Sequence, residues 1–189
     1  MREIIDSFVT EIKSKTIEIY NEFSLQHELG FFLRNKIDNK MVQFERNVTY
    51  FGLNKAEFIK KEIDISVFHD RENPGENPDF AIELKYPRNG QVPEQMFSFC
   101  KDICFAEQLQ QRCFKTTYVI IFVEDRLFYE GNNCDGIYAY FRAGTNLHGS
   151  IQKPTGQQKG VIEIQGNYNI TWVEIMGSLK YTIIEINDG

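Results

Sequence analysis

Glu62-Ile63-Asp64-Ile65-Ser66-Val67 and Phe80-Ala81-Ile82-Glu83-Leu84-Lys85 are the two stretches whose reading decides the fold. Successive side chains of an extended chain point to opposite faces. Ile63, Ile65 and Val67 therefore share one face of the first stretch, and Glu62, Asp64 and Ser66 share the other. In the second, Phe80, Ile82 and Leu84 alternate with Ala81, Glu83 and Lys85. Both read as amphipathic strands. Between them Asp70-Arg71-Glu72-Asn73-Pro74-Gly75-Glu76-Asn77-Pro78 is composed of residues that favour turns and interrupt ladders, so a hairpin is expected. A register that aligns the polar faces brings Asp64 and Glu83 to one point, with Lys85 two residues along on the same side.

Two carboxylates at one point form a hard-oxygen site suited to Mg²⁺, with Mn²⁺ as a substitute; Mg²⁺ is usually held by one or two carboxylates and completed by water and phosphate. Such a cation polarises a phosphoryl oxygen and lowers the pKa of a bound water. An ammonium beside it orients that water or neutralises charge developing on the phosphorus oxygens. Phosphodiester hydrolysis needs these tasks done. An accidental placement, by contrast, predicts carboxylates more than ~8 Å apart, beyond what one metal bridges.

Asp64 followed by Glu83-x-Lys85 on the next strand resembles the PD-(D/E)xK nuclease superfamily of restriction enzymes and junction resolvases. The resemblance covers about residues 24 to 123 and lies in the order of elements: a helix, the Asp strand, the ExK strand, a helix and a further strand. Leu25-Gln26-His27-Glu28-Leu29-Gly30-Phe31-Phe32-Leu33 supplies the first helix, with Ser24 as its N-cap. The resemblance implies a restriction-endonuclease-like α/β fold, a three-layer core with a mixed central sheet flanked by helices. It further implies a Mg²⁺-dependent endonuclease acting on DNA, with Asp64, Glu83 and Glu28 as metal ligands and Lys85 activating water. The chain departs from the pattern at Pro78-Asp79, which a rise of ~3.3 Å per residue puts ~13 Å from Glu83. Asp64 therefore takes the ligand role. Gln95 and Phe99 have the spacing of the family's Gln-x-x-x-Tyr, with Phe in place of Tyr.

With 189 residues, 42% hydrophobic and 14% aromatic, the chain suits a single domain with a sizeable core. No apolar run approaches the ~20 residues of a membrane helix, and the start of the chain lacks the order of a signal peptide, so a cytoplasmic protein is expected. Cys100, Cys104, Cys113 and Cys134 read as reduced core thiols and not as a zinc site. No Gly-rich phosphate loop or catalytic Ser/His/Asp order occurs, and no organic cofactor is implied. A net charge of −6 and a pI near 5.2 oppose strong non-specific nucleic-acid binding. They favour the alternative, a catalytically silent module that binds a partner through the nuclease fold. A local basic surface is expected at Lys55, Lys60 and Lys61 and at Lys85, Arg88 and Lys101.

The remaining pattern predicts a helix over residues 3 to 22, a strand over Met41 to Phe51, a buried helix over Val92 to Arg112 and a central strand over Thr117 to Val123. The three strands through Lys85 are expected to form a meander. The region from about 126 to 187 is expected to be loop-rich, with Asn146 to Ser150 and Lys153 to Gly160 as DNA-contacting loops. It ends in an antiparallel meander from Val161 to Ile186 turning at Gly166-Asn167 and Gly177-Ser178. That meander either extends the sheet or forms a dimer edge, since cutting both strands of a duplex favours a two-fold homodimer. His27, His69 and His148 are expected to be peripheral.

Overall fold

The computed structural model describes residues 1–69, 72–88, 90–156 and 160–187. Asp70 and Arg71 of the expected turn, and Gln157, Gln158 and Lys159 of the second expected DNA-contacting loop, lie outside the described residues. Two helices, α1 (Arg2–Lys13) and α2 (Glu22–Lys36), precede β1 (Met41–Asn47), β2 (Glu62–Phe68) and β3 (Phe80–Lys85). Then follow α3 (Val92–Arg112), β4 (Thr116–Val123), α4 (Ile137–Arg142), β5 (Leu147–Gln152), β6 (Val161–Tyr168), β7 (Val173–Met176) and β8 (Leu179–Asn187). The first helix stops at Lys13, short of the predicted 22, and the first strand stops at Asn47, where a 3-10 turn over Val48–Phe51 takes over.

A six-stranded mixed sheet in the order β1-β2-β3-β4-β8-β7 forms the middle of the molecule. β1, β2 and β3 are the expected antiparallel meander. β3 and β4 run parallel, so the chain must cross over between them, and the long helix α3 is that crossover. Both faces of β4 are covered, as its unbroken apolar run predicts. Tyr118, Ile120 and Phe122 pack with α1 and α2, while Val119, Ile121 and Val123 pack under α3 and α4. The architecture is α/β, in three layers.

After Asp125 the structure departs from the expectation of loops. α4 is there, and Leu147 to Ser150 belong to β5, which pairs with β6 in a separate two-stranded sheet. β6 runs straight through Gly166-Asn167, so no turn forms there; Glu107 of α3 receives the amides of Gln165 (3.1 Å) and Gly166 (2.6 Å) and the Tyr168 hydroxyl (2.9 Å), which holds the strand extended. Only Gly177-Ser178 makes the predicted hairpin, and β8 lies between β4 and β7 instead of at an edge. Cys100 and Cys104 are buried, whereas Cys134 is exposed and not a core thiol.

α2 starts one turn earlier than predicted. Asn21 is its N-cap, with Oδ1 accepting from the Ser24 amide at 2.7 Å, and Ser24 sits at the third helical position, its hydroxyl accepting from the Asn21 amide at 3.1 Å. Leu25, Leu29 and Leu33, spaced by four, are fully buried against the sheet. This register turns Glu22 and Gln26 along the adjoining row, towards the ends of β2 and β3.

Gly30 sets the height of α2 above β1, because a Cβ there would lie 2.0 Å from Cε1 and 2.1 Å from Cζ of Phe44. The Arg34 guanidinium stands 4.9 Å from the centre of that ring, and Arg34 also donates to the Val42 carbonyl. Gly30→Ala gains about 1 kcal/mol of helix propensity but forces the ring aside, at a cost of about 1–3 kcal/mol. A net loss in urea unfolding is expected, and it should largely vanish in a Phe44→Leu background, a coupling that a double-mutant cycle reads directly.

Candidate functional site

Asp64, Glu83 and Lys85 come together where the β2–β3 ladder ends. The backbone register runs Val67↔Phe80, Ser66↔Ala81 and Ile65↔Ile82 and stops there. In place of the next rung, the Leu84 amide donates to the Asp64 carboxylate at 2.7 Å and the Asp64 amide donates to Glu83 Oε1 at 3.4 Å. The Asp64 side chain thus enters the gap between the strands. An aspartate carboxylate lies within about 4 Å of its own amide nitrogen. The two carboxylates are accordingly inside the ~8 Å limit for a shared metal.

The backbone is irregular at this same point. Ile65 and Val67 pack under α2, but Ile63 packs on the opposite face with Val48, Phe51 and Phe105, so the strict alternation of β2 breaks at Asp64. Glu45, the β1 residue that would face Asp64, has φ 51°, and it is skipped in a register that otherwise pairs Phe44↔Ile65 and Arg46↔Ile63. A positive φ at a residue other than glycine is strained, and such strain gathers at functional sites. Gln26 braces both strands, its amide donating to Glu45 Oε1 at 2.5 Å and to the Asp64 carbonyl at 2.9 Å.

Three further charged groups, Asp102, Lys60 and Glu22, complete the cluster. Asp102 on α3 is 1% exposed, as is Glu83 on β3. Lys60, from the coil before β2, donates to Glu83 and lies 2.7 Å from Asp102 Oδ1. Lys85 Nζ lies 3.2 Å from Glu22 Oε1 and 3.5 Å from Asp102 Oδ2, and Glu22 also receives the Tyr86 amide at 3.2 Å. Asp102 Oδ2 is buried with no hydrogen-bond donor. Four carboxylates (Glu22, Asp64, Glu83 and Asp102) thus face two ammonium groups, with Glu45 at the rim. A cleft of about 280 Å³ opens over Asp64 between Glu22, Phe23, Gln26 and Glu45. A shallower groove continues past Lys60, Glu62 and Lys85.

The electrostatics follow from burial and crowding. Burial, only partly offset by Lys60 and Lys85, raises the Asp64 carboxyl to about 6. Burial and the neighbouring Asp64 hold Glu83 well above the usual carboxylate range, with Lys60 pulling the other way. Burial opposes the charge on Lys60, but Glu83, Asp102 and Asp64 outweigh it and raise that ammonium's pKa. Lys85 is raised likewise, chiefly by Asp102 and Glu22 against the cost of burial. Perturbed acids in a cleft are the usual signature of a working site.

Of the expected site residues, Asp64, Glu83 and Lys85 converge and Glu28 does not. Glu28 lies about 200° around the helix from Gln26, and it lines neither the cleft nor the groove. Glu22, one helical turn before Gln26, lines the cleft and pairs with Lys85 instead. Asp79 is 4% exposed and bound by Lys115 (2.9 Å), Lys40 (3.3 Å) and His69 (3.2 Å), away from the cleft. Against the cost of its burial, Lys115 and Lys40 hold its carboxyl below the usual range. The expected basic surface shrinks, because Lys60 and Lys85 are turned inward and Arg88 pairs with Glu124 at 2.8 Å, leaving Lys55 and Lys61 exposed. His27 is exposed, stacked on Phe23 and meeting Phe31 edge-on.

Lys60, Asp102 and Glu22 were not legible as site residues. Asp102 carried one signal, a charge inside the apolar run from Met96 to Phe105, which requires a buried partner. Among the described residues no group of three or more His, Cys, Asp or Glu side chains is arranged to hold a metal ion. Asp64 and Glu83 alone fit what Mg²⁺ asks of a protein, because phosphate and water supply its other oxygens. No helix among the described residues is long and apolar enough to cross a membrane. Comparison with protein-family models, with curated proteins and with solved structures gave no match.

Because the folded Asp64 carboxyl titrates near 6 against an ordinary 3.8, the folded state binds this proton more tightly than the unfolded chain. The stability that the protonated form contributes is complete below about pH 4 and is lost as pH rises through 6. Asp64→Asn, which keeps an acceptor for Leu84, should therefore stabilise the chain at pH 7.5 in chelator by on the order of 2 kcal/mol. The gain should fade towards pH 4, as urea unfolding at several pH values will show.

Proposed function

We propose that this chain is a metal-dependent nuclease hydrolysing phosphodiester bonds of DNA, a nuclease of the PD-(D/E)xK kind with a restriction-endonuclease-like core. The observation that carries the reading is the meeting of Asp64, Glu83 and Lys85 at the broken end of the β2–β3 ladder, under an open cleft. The element sequence α2, β2, β3, α3, β4, with β1 inserted between α2 and β2, supports the reading.

In this reading Asp64 and Glu83 hold a Mg²⁺ ion that, when bound, polarises a phosphoryl oxygen and acidifies water. Lys85 donates to Glu22 and to the Leu84 carbonyl (3.0 Å) and only pairs in charge with Asp102 at 3.5 Å, which leaves one N–H of its ammonium uncommitted beside the acids. There it orients the attacking water or neutralises charge developing on the phosphate. Glu22 sets the position of Lys85 and acts through it. Gln26 and Glu45 keep Asp64 in the gap, and burial keeps bulk water from Glu83 and Asp102.

One observation favours a second reading, a nuclease fold retained as a silent interaction module. The Lys60 ammonium already lies between Glu83 and Asp102 and compensates their charge without any metal. The net charge of −6 points the same way. Cleavage separates the two. Incubated with Mg²⁺ and plasmid or single-stranded DNA, the wild type should nick or cut, and Lys85→Met should lose about 10²–10⁴-fold in rate with an unchanged far-ultraviolet circular dichroism spectrum. Full activity of Lys85→Met refutes its role; no cleavage of any DNA by the wild type favours the silent module.

A further inference from the structure

We propose that the point held by the Lys60 ammonium, between Glu83 and Asp102, is a divalent-cation site, and that a cation enters it by displacing Lys60. The inference rests on reading the cluster as a metal centre, and it adds Asp102 to the ligands while giving Lys60 the role of a resident competitor.

Glu83 and Asp102 are almost wholly buried, yet each turns a carboxylate oxygen to the same ammonium. An ammonium and Mg²⁺ are both compact hard cations satisfied by oxygen, so a position that suits one has the charge and donor type for the other. Asp102 turns Oδ1 to Lys60, while its Oδ2, buried and without a hydrogen-bond donor, shows that the carboxylate itself is not saturated, since buried carboxylate oxygens ordinarily find one. Lys85 stands 3.5 Å from that oxygen.

Lys60 is also the member of the cluster best able to leave. Its side chain is 28% exposed, against 1% for Glu83 and 2% for Asp102. It comes from irregular chain between the 3-10 turn at Lys55–Glu57 and the start of β2, so no ladder hydrogen bond breaks when it swings out. The groove lined by Lys60, Lys61 and Glu62 is open at that point. Lys85 is more enclosed, at 14% exposure, and is tied to the Leu84 carbonyl. A phosphate bound in the groove would draw the released ammonium outward by charge.

The affinity of a cation for such a site is reduced by the fraction of time that Lys60 vacates it. The test is calorimetric titration of Mn²⁺ into the wild type, Lys60→Met and Lys60→Arg at one pH and ionic strength. Lys60→Met should bind at least about tenfold tighter than the wild type, as follows if Lys60 leaves no more than about a tenth of the time, and Lys60→Arg should stay close to the wild type. Equal affinity of Lys60→Met and wild type overturns the displacement and leaves the metal centre standing. Absence of binding in both overturns the displacement and the metal centre together. Should Lys60→Met not fold, ¹⁵N-lysine labelling of the wild type decides: a protected Nζ signal lost on adding Mg²⁺ supports displacement, and a signal that persists at saturating Mg²⁺ overturns it.

Discussion

Glu83 and Asp102 have almost no access to water, and the Lys60 ammonium between them is the interaction on which the arrangement of the site depends. An isolated buried carboxylate costs several kcal/mol, and a paired one roughly breaks even against an apolar residue of its size. Stability therefore gives no reason for this core to carry acids where Phe99, Ile103 and Phe105 fill the neighbouring positions of α3. The cluster makes sense as machinery kept at the expense of stability, with strain at Glu45 and a broken ladder at Asp64 as further signs.

The fold delivers these groups from separate elements by simple means. The β2–β3 hairpin supplies Asp64 and Glu83 on facing strands, and the parallel pairing of β3 with β4 compels a crossover whose helix brings Asp102 beneath them. The leucine row of α2 sets the rotation that sends Glu22 and Gln26 towards the hairpin and leaves Phe23, His27 and Phe31 outside. Gly30 lets that helix sit close enough for Gln26 to bridge β1 and β2. Each contribution is a consequence of packing, so the site inherits the rigidity of the core.

Much of this was legible in the sequence. Alternation in Ile63 to Val67 and Phe80 to Lys85 located the hairpin, and the unbroken Tyr118 to Val123 run marked a strand covered on both faces. What escaped has physical causes. Gly166-Asn167 has the composition of a turn, but three hydrogen bonds donated to Glu107 keep it extended, a tertiary effect that local propensity does not contain. A helix read as starting after Ser24 offers Glu28 as its early acid; the Asn21 cap starts the helix at Glu22, and that acid faces the strands. Lys60 read as surface charge because nothing local reveals that a lysine before a strand will turn inward towards acids 23 and 42 residues away.

Whether a divalent cation belongs among these acids is decided by anomalous scattering from crystals soaked in Mn²⁺ with a nucleotide monophosphate. A bound cation gives an anomalous peak within about 2.3 Å of carboxylate oxygens of Glu83 and of Asp64 or Asp102, and that is the expected result. Ordered nucleotide phosphate without any manganese peak, and with Lys60 still lodged between Glu83 and Asp102, would contradict it.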